Sequence, residues 1–312
     1  MHREDPEKKM RCIYCGGKPF YHRRYSGETL CRRHFIETID KRVYREARKH
    51  LKEDSRVGLA VSGGKDSLVL AYSVNKLKKR FPDMELIGLI VDEGISGYRE
   101  RAIKKADKAL SHLSVIYHVF NFRDHFSTTL DEAIRLLGKD AMPCSLCGVL
   151  RRRAISILAE ETEVEAVLTG HNADDMAQTI ILNIVQGNVR NLAQEIEFPG
   201  VVKRFKPLKE VLEKEVVLYG LMSGIDYYSD PCPYSGFALR NDIRNFLLAL
   251  ETNHSGVTYS IIRSAEKIIE GISPPPKIGR CMRCSYPTTR ELCKVCEVLR
   301  KVEELKQTSE RG

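Results

Sequence analysis

Cysteine and histidine spacings near both ends of the chain are those of metal ligands. Each end carries four ligand-type residues as two close pairs, with two residues between the members of a pair. Thiolate and imidazole ligands in this arrangement match the tetrahedral coordination of structural zinc. Four ligands complete that geometry, so we expect two closed, structural zinc sites. The predicted ligands are Cys12, Cys15, Cys31 and His34 at one end, and Cys281, Cys284, Cys293 and Cys296 at the other.

A glycine-rich segment, SGGKDS, has the residues needed to hold phosphate. Gly63 and Gly64 allow a tight turn with exposed backbone amides, and Ser62, Lys65 and Ser67 add donors. The spacing is neither G-x-x-x-x-G-K-[ST] nor G-x-G-x-x-G, so it is not a Walker A loop or a dinucleotide fingerprint. We therefore expect a different kind of nucleotide phosphate site between a strand and a helix.

A second segment, LTGHNADDMAQT, places carboxylates at the start of a predicted helix. Gly170 stands at the end of the preceding strand, and Asp174 and Asp175 follow. Carboxylates at a helix start are often capping residues. Beside a phosphate site, a magnesium role for Asp175 is favoured, because Mg²⁺ takes a few carboxylates together with phosphate oxygens. His171 is equally compatible with a structural and a functional role.

Three cysteines remain outside the two zinc sets. Cys144 and Cys147 form a C-x-x-C pair that runs into Arg151 to Arg153, and Cys232 stands in SDPCPYS. The pair is compatible with a redox dithiol, with a third zinc site that borrows a ligand such as His171, or with an iron-sulfur centre. The residues alone leave these alternatives open.

The elements that must position these residues alternate between strand and helix. Predicted strands are RVGLAVS, ELIGLIVDEG, SVIYHVF and VEAVLTG; predicted helices are DSLVLAYSVNKLKKRF, YRERAIKKADKALSHL, RRRAISILAEET and ADDMAQTIILNIVQG. This order predicts an α/β fold with a parallel sheet covered on both faces. Ligands of such sheets bind beyond the carboxyl ends of the strands, where SGGKDS and GHNADD both lie.

Composition and charge restrict the class of protein. Apolar residues make up 42% of the chain and charged residues 30%, which allows a normal buried core. No run approaches the 18 or so apolar residues of a membrane span, and the charged start is unlike a signal peptide, so we expect a cytosolic protein without membrane contact. The net charge of +9 suits a polyanionic partner such as nucleic acid, although a solvated basic face explains it equally well.

SGGKDS after a first strand resembles the PP-loop of the ATP pyrophosphatases, which cleave ATP between its α and β phosphates. The chain combines that loop with both zinc sets, P-C-x-x-C, GHNADD and SDPCPYS in one order. In this combination it resembles the tRNA 2-thiouridine synthetases of the TtuA/NcsA type over nearly its whole length. The expected fold is therefore a PP-loop catalytic domain flanked by two small zinc ribbons.

The resemblance implies roles for particular residues. Asp66 would help to hold Mg²⁺ and pyrophosphate, the backbone of Ala60 and Val91 would hold adenine, and Arg151 would contact ATP. Cys144, Cys147 and Cys232 would hold a 4Fe-4S cluster with one iron free of protein ligands, where sulfide can bind. The implied catalytic residues are Lys65, Asp66 and Asp175, and the implied nucleotide-binding residues are Ala60, Ser62, Gly63, Gly64, Lys65, Asp66, Ser67, Val91, Arg151, Gly170 and Asp175.

The implied reaction is ATP-dependent adenylation of the C2 oxygen of a tRNA uridine, followed by sulfur insertion and release of AMP. Sulfide or a ubiquitin-like thiocarboxylate protein would supply the sulfur, and a homodimer is expected. We predict a zinc ribbon and basic helix over residues 1–50, the PP-loop domain with the iron-sulfur site over 51–250, and a helical, tRNA-binding segment with the second ribbon over 251–312.

Three other functions are kept beside this one. Thiolation through persulfides would need no cluster. Another PP-loop tRNA-modifying ligase would use ATP but leave Cys144, Cys147 and Cys232 without a role. A zinc-ribbon RNA-binding protein without catalysis would leave SGGKDS and GHNADD unexplained.

Overall fold

The computed structural model describes residues 11–138, 141–188, 192, 201–235, 239–270 and 278–310. The segment SPPPK, residues 273–277, whose consecutive prolines predict a stiff linker, lies outside these residues. The described strands are β1 (Tyr21–Arg23), β2 (Glu28–Leu30), β3 (Arg56–Ala60), β4 (Glu85–Asp92), β5 (Ile116–Asn121), β6 (Ala166–Leu168), β7 (Lys203–Phe205), β8 (Gly279–Arg280) and β9 (Pro287–Thr288).

Helices surround the strands and make up most of the described chain. A 3₁₀ turn, Lys76–Lys79, extends the second helix. The α-helices are α1 (Arg32–Ala47), α2 (Lys65–Asn75), α3 (Arg99–His112), α4 (Phe122–Phe126), α5 (Leu130–Leu137), α6 (Pro143–Glu161), α7 (Ala173–Val185), α8 (Glu213–Met222), α9 (Leu239–Asn253), α10 (Val257–Glu270) and α11 (Lys294–Glu310).

The central sheet has five parallel strands in the order β5-β4-β3-β6-β7. In β4, Leu86 and Ile90 face a core built with α1, α2 and α8, whereas Ile87, Leu89 and Val91 face a core built with α5, α6 and α11. Helices thus cover both faces, as a parallel sheet requires. The α/β prediction is confirmed; β7, a three-residue edge strand, was not predicted.

The cysteine pair lies on a longer helix than the sequence predicted. We expected a helix from Arg151, but α6 begins at Pro143, so Cys144 and Cys147 lie on its first turns. Proline suits this position, because the first residues of a helix have no intrahelical partner for their backbone N–H groups. The pair and Arg151 therefore share one rigid element.

Two small antiparallel hairpins carry the predicted zinc ligands. Strands β1 and β2 pair near the N-terminus, and β8 pairs with β9 near the C-terminus. Helix α1 follows the first hairpin directly and contributes Phe35, Ile39 and Val43 to the same core as α2. The division into residues 1–50, 51–250 and 251–312 stays a prediction.

A buried ion pair joins the first hairpin to α8. Arg23 and Glu215 are both fully buried, with Arg23 Nε 2.6 Å from Glu215 Oε1. Arg23 also donates to Glu28 and to the Thr38 hydroxyl, at 2.6 and 3.2 Å. Each of the three guanidinium nitrogens thus donates a hydrogen bond, which offsets the cost of burying the charge.

Among the described residues, no helix has the length and apolar composition needed to cross a membrane.

Removal of the Arg23 charge should destabilise the fold, because Glu215 would be left buried without its main partner. We expect Arg23→Met to lower the free energy of unfolding by about 3–5 kcal/mol. Arg300→Met is the matched control: Arg300 and Glu304 form an exposed pair on α11, and its loss should change stability by less than about 0.5 kcal/mol. Urea denaturation of the zinc-loaded proteins measures both; equal stability of the two variants would contradict the expectation.

Candidate active site and metal centres

The SGGKDS loop is held in a tight turn at the carboxyl end of β3. The Ser67 hydroxyl donates to the Gly64 carbonyl at 2.9 Å and accepts from the Ser62 amide at 3.1 Å. Gly63 has φ of +88°, and a Cβ atom there would lie 2.0 Å from the Ala102 carbonyl oxygen. Only glycine satisfies both constraints. The loop thus leads directly into the N-terminus of α2, a favourable place for phosphate.

Asp66 and Asp175 are joined through one asparagine. Asn172 Nδ2 donates to Asp66 Oδ1 at 3.0 Å, and Asn172 Oδ1 accepts from the Asp175 amide at 3.0 Å. Gly170 brings the end of β6 so close that a Cβ atom would lie 2.9 Å from the Asp66 carbonyl carbon. The two predicted magnesium ligands therefore lie in the first turns of α2 and α7, which follow the adjacent strands β3 and β6.

The electrostatics of these carboxylates favour a cation. Burial raises the pKa of Asp175 to about 6, and the neighbouring Asp66 carboxylate acts in the same direction. Lys65 Nζ lies 2.9 Å from Asp66 Oδ2 and 2.8 Å from Glu213 Oε1. The Lys65 ammonium thus bridges the carboxylates of Asp66 and Glu213. A divalent ion beside Asp66 and Asp175 would relieve the repulsion between them.

A buried glutamate at the end of β4 pairs with two arginines. Glu93 is 2% exposed, and its carboxylate lies 2.7 Å from Arg99 Nε and 2.6 Å from Arg151 Nε. Because Glu93 lies closest, its charge raises the pKa of Arg151, so that guanidinium stays charged. Arg151 Nη2 in turn lies 3.2 Å from Cys147 Sγ. The Glu93 carboxylate thus holds the Arg151 guanidinium against the Cys147 thiol.

Arg99 connects Glu93 to the nucleotide loop, the SGGKDS segment of residues 62–67. Its Nη1 donates to the Ser62 carbonyl at 2.6 Å, and its Nε donates to the Val91 carbonyl at 2.7 Å. Arg99 is 4% exposed, so these contacts are shielded from water. The carbonyl of Val91, whose backbone the resemblance assigns to adenine, therefore accepts from Arg99.

The three remaining cysteines have free thiols at this end of the sheet. Cys144 Sγ lies 3.6 Å from the Tyr234 carbonyl, two residues beyond Cys232. Burial raises the pKa of Cys147 while Arg151 opposes the rise, and burial also raises the pKa of Cys232. These thiols are not grouped as tightly as ligands of a single ion.

Single-ion geometry is present elsewhere in the described residues. Ligand atoms within 4.8 Å of one another occur in two groups there, Cys12, Cys15, Cys31 and His34, and Cys281, Cys284, Cys293 and Cys296. Both are the sets predicted from spacing, and each has the ligands for one tetrahedral zinc. The wider spread of Cys144, Cys147 and Cys232 fits a multi-iron cluster better than a third zinc ion.

One thiol of each ribbon, Cys12 or Cys281, has a lowered pKa, whereas the pKa values of Cys15, Cys293 and Cys296 are raised. Desolvation opposes ionisation of Cys12, but backbone N–H groups of Cys31, Tyr14 and Cys15 outweigh it and lower its pKa to about 6. Backbone N–H groups likewise lower the pKa of Cys281 to about 6. His34 directs Nδ1 towards the sulfur atoms of Cys12 and Cys31, at 3.2 and 3.3 Å. Thiolates are the form that binds zinc.

Sequence reasoning missed several residues that organise the site. Glu93 follows β4 and Arg99 begins α3, and nothing in the spacing marks Glu93 as the partner of both Arg99 and Arg151. Asn172 was read only as part of GHNADD. The backbone amide of Tyr228 donates to the Gly63 carbonyl at 2.9 Å, a contact across 165 positions that no local pattern reveals.

Comparison with known proteins identifies the family. A family model described as a PP-loop domain matches residues 35–251. A probable sulfurtransferase of Methanocaldococcus jannaschii is 37% identical over 303 residues, 94% of this chain and 88% of that protein. The tRNA 2-thiolation protein NcsA of Haloferax volcanii is 30% identical over 323 residues, 94% of this chain and 99% of that protein.

A solved structure agrees with these relatives. The U34-tRNA thiolase NcsA from Methanococcus maripaludis, determined with its 4Fe-4S cluster, matches with a TM-score of 0.85 at 37% identity, covering 93% of this chain and 95% of that chain. The resemblance stated from the motifs is thereby confirmed. The chain belongs to the PP-loop family of tRNA 2-thiolation sulfurtransferases that contains NcsA.

Proposed function

We propose that this protein is an ATP-dependent tRNA uridine 2-sulfurtransferase with a 4Fe-4S cluster. One observation carries the proposal: an unbroken series of contacts runs from the Ser62 carbonyl through Arg99, Glu93 and Arg151 to the Cys147 sulfur. It links the nucleotide loop to the thiols at one end of the sheet. An ATP-activating site and a sulfur-handling site that share one end can act on the same atom of a substrate.

The nucleotide would bind along the loops after β3, β4 and β6. Phosphates would be held by the backbone of Gly63 and Gly64 and by donors of Ser62, Lys65 and Ser67, with Gly170 allowing the close approach of β6. Asp66 and Asp175 would hold Mg²⁺, whose charge would stabilise the departing pyrophosphate. The backbone of Ala60 and Val91 would take the adenine, and Arg151 would reach the α-phosphate.

Cys144, Cys147 and Cys232 would be the protein ligands of the cluster. Three thiolates leave one of four irons free, and that iron would supply a place where sulfide binds. The Arg151 guanidinium, 3.2 Å from Cys147 Sγ, stabilises the thiolate form of that ligand. Cys147 is 9% exposed and belongs to the same apolar core as Leu146 and Leu150, which limits its contact with water.

The reaction would be a substitution with no net change in oxidation state. The C2 oxygen of uridine attacks the α-phosphorus of ATP, and pyrophosphate leaves. Hydrosulfide then adds at C2, and the oxygen departs with AMP, which gives 2-thiouridine. Lys65 and Mg²⁺ would offset charge on the phosphates, and Arg151 would offset the charge that develops at the reacting centre.

The name of the Methanococcus maripaludis relative supports the uridine at tRNA position 34 as the target. The two ribbons would each bind one zinc ion and contact RNA by shape and phosphate charge. We further propose a homodimer, sulfide or a ubiquitin-like thiocarboxylate protein as sulfur donor, and a reducing cytosol, in which ten unpaired cysteines are stable.

The function is tested with anaerobically purified protein, an unmodified U34 tRNA transcript, ATP, Mg²⁺ and sulfide. Nucleoside mass spectrometry measures 2-thiouridine, and nucleotide analysis measures AMP and pyrophosphate. We expect one AMP and one pyrophosphate for each 2-thiouridine. Release of ADP and phosphate, or a modified base without sulfur, would contradict the proposal; thiolation by iron-free protein would favour the persulfide route.

Loss of the proposed magnesium ligand should abolish activation. We expect Asp66→Asn to slow AMP formation at least about 100-fold, because metal stabilisation of phosphate charge is worth several kcal/mol. Asp83→Asn is the matched control, since Asp83 is exposed in the turn before β4, and its rate should stay within about twofold. Equal rates in both variants would show that Asp66 does not hold the metal.

Loss of one cluster ligand should remove iron and leave zinc in place. We expect Cys232→Ser to lose its iron, its brown colour and its 2-thiouridine formation, while about two zinc ions per chain remain. Cys284→Ser is the reciprocal control, which should lose about one zinc and keep the iron. Elemental analysis and visible absorbance measure both metals; a Cys232→Ser protein that keeps its iron would exclude Cys232 as a ligand.

A further inference from the structure

A cavity of about 250 Å³ opens between the start of α3 and the segment that follows α8. None of the residues proposed above to bind ATP, zinc or iron lines this cavity. Its lining includes Tyr98, Arg101, Tyr228, Asp230, Pro231 and Pro233. Drug-sized ligands occupy pockets of about 300–1,000 Å³, so this cavity suits a single small ring.

The cavity touches both halves of the proposed active site. Tyr228 pairs with the nucleotide loop, since its amide donates to the Gly63 carbonyl at 2.9 Å and it forms a parallel bridge with Gly64. Pro231 and Pro233 stand on either side of Cys232 in the chain. A ring in this cavity would therefore lie between the phosphates and a proposed cluster ligand.

Two tyrosines give the cavity an aromatic wall. The rings of Tyr98 and Tyr228 meet edge to face, with centroids 5.4 Å apart and planes at 66°. The Arg101 guanidinium carbon lies 6.0 Å from the centre of the Tyr228 ring. Bases extruded from RNA loops stack on aromatic and guanidinium groups of this kind.

The polar groups of the cavity match one nucleobase edge. Arg101 Nη1 and Asp230 Oδ2 lie 3.5 Å apart, and both side chains are more than half exposed at the mouth. They offer a donor and an acceptor side by side. Uracil presents an acceptor at O4 beside a donor at N3–H, whereas cytosine presents a donor at N4 beside an acceptor at N3. The pair therefore fits uracil and opposes cytosine.

We propose that this cavity binds the uracil ring of the target uridine, extruded from its RNA loop and stacked on Tyr228. Arg101 donates to O4, and Asp230 accepts from N3–H. This leaves O2, the oxygen that the reaction replaces, free of protein contacts. The assignment rests on the proposed function and adds to it the residues that select the base.

Asp230→Asn tests base selection through binding to two tRNA transcripts that differ only in U34 or C34, measured with the full metal-loaded chain and no ATP. Wild-type protein should bind the U34 transcript about tenfold more tightly. Asp230→Asn should reduce that ratio below about twofold, because an amide also donates to cytosine N3. The matched control is Asp226→Asn: Asp226 pairs with Lys105 and Lys108 on the outer surface and should keep the tenfold ratio.

Tyr228→Ala tests the stacking wall. It should weaken binding of the U34 transcript by about 5- to 150-fold, and Tyr228→Phe should restore it, because stacking needs the ring and not the hydroxyl. Thermal melting and ATP binding check that Tyr228→Ala is folded and keeps its nucleotide loop. Unchanged U34 affinity in folded Tyr228→Ala, or an undiminished U34 preference in Asp230→Asn, would overturn the assignment.

The two proposals fail in different ways. If wild-type protein forms no 2-thiouridine with ATP and sulfide, the proposed function is wrong. If it forms 2-thiouridine while Asp230→Asn and Tyr228→Ala keep wild-type binding and base preference, only the assignment of the cavity is wrong.

Discussion

The carboxylate of Glu93 is buried at the carboxyl end of β4 between two guanidinium groups, and the geometry of the site depends on it. A single buried carboxylate is costly unless it is paired. Here Arg99 carries the interaction towards the Ser62 carbonyl, and Arg151 carries it towards the Cys147 sulfur. The nucleotide loop and the Cys147 thiol are thus both linked to the Glu93 carboxylate. Because Arg99 and Arg151 share this carboxylate, a change at one arginine alters the ion pair of the other.

Residue types and spacing were enough to predict the parts of the site that are local in sequence. Both metal sets obey a strict pair spacing, and a closed tetrahedral site needs nothing beyond those four residues. SGGKDS likewise contains its own turn, donors and helix start. Alternation of strands and helices predicted the parallel sheet, because each buried strand reads as an apolar run. The individual roles of these residues in ATP and cluster binding stay predictions.

Contacts between distant segments could not be predicted in this way. Glu93 and Arg151 are 58 positions apart, and Gly63 and Tyr228 are 165 apart, so no periodicity connects them. β7 is three residues at a sheet edge, too short to produce a pattern. The start of α6 at Pro143 was missed because cysteine and glycine are weak helix formers, and packing of Leu146 and Leu150 in the core outweighs that propensity.

The fully buried pair of Arg23 and Glu215 has a consequence for the proposed contact between the N-terminal ribbon and RNA. Breaking the pair would expose a charge or leave it buried without a partner, so the ribbon keeps one orientation relative to α8 and does not pivot freely on a linker. Glu213 of α8 contacts Lys65, so the ribbon also keeps one orientation relative to the nucleotide loop. The span between ribbon and catalytic end is therefore a property of the folded protein. Under the proposed function, an RNA that contacts both would need the matching length and curvature beforehand, and its binding would cost little ordering of the protein.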